Sequence, residues 1–157
     1  MTISCVSRYG NLLIGILPVL AALTSCQKNK QAFQSNCNAG TNYKKVSFAE
    51  LVNHAEKYQH QYVEVSGKYR EGFEQSALFN GELFADHSNA SALWVDFSQD
   101  CPLYIPGTQT GLFTYNSGEF VQINNRPVII RGIVDVKDKG HLNQYRATID
   151  RVSYIEL

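Results

Sequence analysis

The chain has 157 residues, 14 Lys and Arg against 14 Asp and Glu, and a hydrophobic share of 44%. That length suits one small domain with one core, and the balanced charge lacks the basic excess by which a protein normally holds a phosphate backbone. Nine Tyr and eight Phe favour a β-rich build.

Residues 12–23 (LLIGILPVLAAL) form an apolar run behind the lone basic Arg8. A membrane span needs roughly twenty apolar residues and a basic cytoplasmic flank, whereas this run is shorter and contains Pro18. Length and flank fit the core of a secretion signal. A plain transmembrane helix, or an ordinary signal with an incidental cysteine, is the alternative.

Leu23-Thr24-Ser25-Cys26 follows at once, and this tetrapeptide resembles the bacterial lipobox. The resemblance implies that residues 1–25 are a lipoprotein signal peptide, and that Cys26 becomes the acylated first residue of an envelope lipoprotein whose partner is the lipid bilayer. Several acyl chains give stable anchoring where one chain gives only marginal binding. The processed chain loses Arg8 and no acidic residue, so 14 − 1 = 13 Lys and Arg face 14 Asp and Glu. By resemblance to known sorting rules, an Asp directly behind the lipidated cysteine favours the inner membrane, and acidic residues there favour surface display in some bacteria. Gln27-Lys28-Asn29-Lys30 has neither, which implies an outer-membrane anchor facing the periplasm.

Residues 26–43 are rich in Gln, Asn, Lys, Ser and Gly and read as a flexible tether ahead of a domain at 44–157. With Cys5 in the signal and Cys26 lipidated, Cys37 and Cys101 remain. In an oxidising compartment such a pair is expected to be bridged, the alternative being two unrelated thiols. Neither has a CxxC or HxxxH neighbourhood pointing to a metal.

Ser47-Phe48-Ala49-Glu50 is a capping box that opens a helix to about Tyr58. Phe48, Leu51, Val52 and Ala55 make its apolar stripe, while Glu50, Asn53, Glu56 and Lys57 face water with His54 beside them. Residues 62–70 alternate as a half-buried strand, with Val63, Val65, Gly67 and Tyr69 inward and Gly67 marking a bend. Asn80-Gly81, between 77–79 and 82–84, predicts a tight hairpin. Asp86 to Ser91 reads as loop. Residues 92–98 return to strand, with Leu93, Val95 and Phe97 inward and Trp94 and Asp96 outward. Pro and Gly make 99–118 a long connection, with short strands expected at 111–115 and 120–123. Residues 127–136 form the strongest strand, interrupted by Gly132. A turn at 137–143 leads to a final strand over 144–156 with a bulge near Asp150.

One capped helix and about five strands with mid-strand glycines predict a mainly β fold, a small closed barrel that removes exposed edges. Residues 63–69, 72–78, 93–97, Arg131-Gly132 and 140–142 resemble small bacterial OB-fold proteins of unassigned activity, and more distantly the anticodon-binding-like OB domains that place a helix before the barrel. The resemblance covers most of 45–157 and implies an OB-like barrel without implying a reaction.

Candidate ligand-binding residues are Glu74, Ser76, Trp94, Asp96 and His141. Trp94 and Asp96 on one strand face would give a stacking ring beside a carboxylate, unless the helix or the long connection covers the ring. Glu74 and Ser76 compete with turn and ladder hydrogen bonding. His141, and likewise His87 beside Asp86, reads as a turn histidine, a general base or a metal ligand, with no partner at a diagnostic spacing. No GxSxG, P-loop, HExxH or GxGxxG occurs, and Cys101 lacks a protease context. The sequence calls for no cofactor. The expected function is a non-catalytic binding or assembly module with an envelope protein partner. A hydrolase using Glu74, Asp96 and His141 is the alternative, and a single-strand nucleic-acid binder using Lys68, Arg70, Arg131 and Arg146 the third reading.

Overall fold

Alternation of apolar and polar residues, which predicts strands but not their partners, resolves into a single mainly β sheet closed on itself. The computed structural model describes residues 30–81, 88–116 and 118–157. In chain order the elements are β1 (Ala32–Gln34), β2 (Lys44–Lys45), α1 (Phe48–Asn53), β3 (Tyr62–Gly72), β4 (Gln75–Phe79), β5 (Leu93–Val95), β6 (Pro127–Asp135) and β7 (Ala147–Glu156). The signal segment and lipobox, including Cys26, lie outside the described residues, as do Asp86 and His87.

Five strands close the barrel. β3 pairs β4, β4 pairs β5, β5 runs parallel to β7, β7 pairs β6, and β6 returns to β3. This is the Greek-key order of a small OB-like barrel. Closure depends on β3. Tyr62 to Lys68 pair with β6 and Lys68 to Gly72 with β4, so one strand coils from one side of the barrel to the other. Gly67 sits at that crossover, where a Cβ would lie 3.1 Å from the Phe79 carbonyl oxygen.

β6 and β7 alternate as expected until the bulge. Ile133 pairs Asp150 but Arg131 pairs Tyr154, so Arg151, Val152 and Ser153 bow out opposite Gly132. Arg151 takes a positive φ of 48° there. A Cβ on Gly132 would fall 2.6 Å from the Ile149 Cγ2 and 2.7 Å from the Asp150 carbonyl oxygen, so this close approach requires glycine. The bulge expected near Asp150 is thus matched by a glycine on the facing strand.

Ser47 caps α1, its hydroxyl accepting the Glu50 N–H at 3.2 Å. The Glu50 carboxylate does not complete a capping box; it accepts the Tyr58 hydroxyl at 3.2 Å. The expected single helix to Tyr58 is two pieces. His54 (φ −134°) ends α1, and a 3-10 turn spans Ala55–Tyr58. Burying Ala55 and Tyr58 along with Phe48, Leu51 and Val52 turns the apolar stripe through this break.

Four expectations are corrected. Within residues 26–43, expected as a flexible tether, Ala32–Gln34 forms β1 on β7, Phe33 is fully buried in the main core, and the chain is fastened again at Cys37. One buried ring and three paired residues suffice to order a polar stretch. The hairpin expected at Asn80-Gly81 is instead formed one strand earlier: Gly72 pairs Gln75, leaving Phe73-Glu74 as a two-residue turn with Glu74 at φ 55°. The second arm proposed at 82–84 lies outside the described residues. Finally, 111–115 and 120–123 are not strands. Isolated bridges Gln34 to Tyr104 and Tyr104 to Gly111 satisfy this backbone while Leu103, Leu112 and Ile123 are buried against the barrel core.

Candidate functional site

The Phe73-Glu74 turn and the β6–β7 connection come from distant parts of the sequence and meet in space. The Glu74 carboxylate lies 3.0 Å from the His141 Nε2, with both side chains partly open to water. Glu74 and Leu142 (φ 54°) both take positive φ in these turns. Phe73, 93% exposed, and Leu142, 71% exposed, are the residues next in sequence to Glu74 and His141. Exposed apolar residues of this size around a polar pair are what a partner surface offers.

The outer face of β4 and β5, next to these loops, is filled by the chain itself. Trp94 packs on Tyr145 with ring centroids 5.1 Å apart, above Ala77, Phe79 and Ala92. Gly140 lies directly on the indole, where any Cβ would collide with it. Neither the helix nor the long connection covers Trp94; the β6–β7 connection does. The ring is therefore a packing residue, and among the described residues no open stacking platform lies beside Asp96.

Asp96 is exposed, and its carboxyl is raised from its ordinary value by desolvation first and then by Asp150 and Asp138. It faces two other acids, not the Glu74–His141 pair. Ser76 is spent on structure: its hydroxyl donates to the Val95 carbonyl at 2.7 Å and shares a 3.0 Å hydrogen bond with the Tyr69 hydroxyl. Burial pushes the Tyr69 hydroxyl up to about 12.

The four basic residues of the nucleic-acid reading do not assemble into a groove. Arg131 is clamped between the rings of Tyr43 and Tyr154 at 3.9 and 4.0 Å and donates to Glu64 at 2.7 Å. Arg146 donates to the Val52 carbonyl and to Glu56, and Arg70 lies over the Phe79 ring. Only Lys68 is left facing solvent among them with no such contact described.

Cys37 and Cys101 form the disulfide, with α-carbons 5.5 Å apart. Beside it an open cleft of about 520 Å³ runs between Gln34 to Cys37 and the Pro102 to Thr108 turn. Among the described residues, no group of three His, Cys, Asp or Glu could hold a metal ion. No described helix is long and apolar enough to cross a membrane.

Comparison with protein-family models, curated proteins and solved structures gives no match. Sequence reasoning found Glu74 and His141 separately but missed Phe73, because it placed the hairpin at Asn80-Gly81. Gly72 followed by a polar-tolerant pair between two alternating runs was the available signal.

Proposed function

We propose that this protein is an envelope lipoprotein, anchored by acyl groups on Cys26 and facing the periplasm from the outer membrane. Its OB-like barrel serves as a non-catalytic binding or assembly module. One observation carries the binding part: two loops remote in sequence are held together by the Glu74–His141 pair and present Phe73 and Leu142 to solvent. OB barrels engage ligands through the loops equivalent to these two, and here the neighbouring strand face is filled by Trp94 and Tyr145. That moves contact from a groove to the loop tips, a geometry suited to a protein partner more than to an extended strand of nucleotides. The lipobox tetrapeptide and the preceding apolar run support the anchor, and Gln27-Lys28 supports the outer membrane.

Crosslinking the acylated protein in its own envelope tests this reading. A defined protein partner should be captured, and capture should fall at least tenfold in the Phe73→Ser, Leu142→Ser double variant while its thermal unfolding stays within a few degrees of the parent. Undiminished capture by the double variant refutes the loop assignment. The hydrolase reading keeps Glu74 and His141 in contact but leaves Asp96 among acids; loss of a hydrolytic activity in both Glu74→Gln and Asp96→Asn would restore it. Salt-sensitive retention on single-stranded DNA would favour the third reading.

A further inference from the structure

The β5–β6 connection exposes aromatic rings that no fold requirement explains. Phe113, Tyr115 and Phe120 are 56%, 62% and 54% exposed, and Tyr115 stacks edge-on against Phe120 at 5.1 Å. Residues 101–118 contain no Asp, Glu, Lys, Arg or His. Beneath this outer layer Phe113 packs on Phe97, which packs on the buried Tyr69, so the exposed rings are seated on the barrel.

The N-terminal strand starts at the same end of the barrel. The connection enters β6 at Pro127, two residues before Ile129, whose register partner is Glu156. Glu156 in turn holds Lys30 at 2.8 Å, and the Leu157 N–H donates to the Gln31 carbonyl at 2.9 Å. Tyr104 of the connection exchanges backbone hydrogen bonds with Gln34 of β1.

We propose that this aromatic end of the barrel rests on the bilayer interface. The inference depends on acylation of Cys26. From Cys26 to Gln31 the chain spans five residues and reaches at most about 18 Å. A domain on so short a leash is held at high effective concentration against the membrane surface, where even weak partition of a few rings is enough to orient it. Tyr and Phe suit that layer because an apolar ring meets acyl chains while a hydroxyl reaches the headgroups. Residues 101–118 enter it with no ion to desolvate, while the exposed Glu119 beside Phe120 stays on the headgroup side. The opposite end of the barrel, where the His60 N–H donates to the Val134 carbonyl, lies seven residues of β6 away from Pro127, about 23 Å.

The test uses the full acylated chain reconstituted in phosphatidylethanolamine and phosphatidylglycerol vesicles with brominated acyl chains, which quench nearby indoles. Phe113→Trp and Phe120→Trp each add one indole to Trp94 and should lose that added emission relative to unbrominated vesicles. Lys57→Trp, in the exposed turn at the opposite end, should keep it. In the unaltered chain, amides around 112–121 should exchange more slowly on vesicles than in the soluble Cys26→Ser chain, a reading that does not need the tryptophan variants to fold. Equal quenching at 120 and 57, or exchange unchanged by vesicles, overturns the inference while the mass of the N-terminal peptide still reports acylation. A chain that retains Met1 and carries no acyl group overturns the anchoring reading, and this inference with it.

Discussion

Replacing Phe33 by Ala probes whether the segment ahead of the barrel is leash or structure. Phe33 is fully buried in the main core, on a three-residue strand paired to β7. A phenylalanine that buries roughly 200 Å² at about 25 cal/mol per Å² contributes up to about 5 kcal/mol, and measured Phe→Ala losses in cores run about 3–5 kcal/mol. Against a total stability of about 5–15 kcal/mol for a single domain, that is a large fraction. Urea unfolding of Phe33→Ala, followed by far-ultraviolet circular dichroism with the disulfide intact, should show the midpoint falling with little change in slope. Phe113→Ala, at a ring 56% exposed, serves as the control and should cost less than about 1 kcal/mol. A Phe33→Ala loss no larger than the Phe113→Ala loss would refute the reasoning. β1 would then be only loosely attached, the leash would lengthen toward residue 43, and the barrel would no longer be held close to the membrane by a short tether.

Gly132→Ala should destabilise by about 1–3 kcal/mol, because the new Cβ meets the Ile149 side chain and the Asp150 carbonyl; thermal unfolding measures it, and Gly72→Ala, with open space around it, should not show the same loss. Removing both Cys37 and Cys101 opens a loop of sequence separation 64, for which chain entropy gives about 4 kcal/mol; a reductant-dependent fall in Tm of the parent, absent in the Cys37→Ser, Cys101→Ser variant, is the expected result. Burial pushes the hydroxyls of Tyr69 and Tyr154 up to about 12, from an ordinary value near 10. Between those values the unfolded chain has released protons that the folded chain keeps, so stability is whole below about pH 10 and declines toward pH 12. Tyrosinate absorbance during alkaline titration should therefore rise late for these residues and together with unfolding, and Tyr69→Phe should flatten the decline.

Much of the barrel was legible because strand alternation is local. The β3 and β6 runs were recognised nearly to the residue, since Val63, Val65 and Tyr69, or Val128, Ile130 and Val134, recur every second position whatever their partners. Gly67, Gly132 and the bulge near Asp150 were also visible, because only close approach or strong coiling explains glycine in the middle of such runs. β1 was not legible: a single Phe33 among polar residues carries no period, and its order comes from β7 and from a disulfide to a residue far along the chain. The Phe73-Glu74 turn was hidden for a related reason, as nothing in Gly-Phe-Glu-Gln distinguishes a two-residue turn from a continuing strand until β4 returns beside β3.

The sequence by itself determined the alternating strands, the capped helix start and the lack of a familiar catalytic motif, because each of these is written in neighbouring residues; that Cys37 and Cys101 come within reach of one bridge was decided by the tertiary structure. Only the tertiary structure decided that Glu74 meets His141 while Asp96 stands apart with Asp138 and Asp150, and that Trp94 is roofed by Gly140. It also decided that Arg131 is locked between two tyrosines. Such groupings follow from which loops barrel closure brings together, a long-range consequence of strand order that no local window of residues contains.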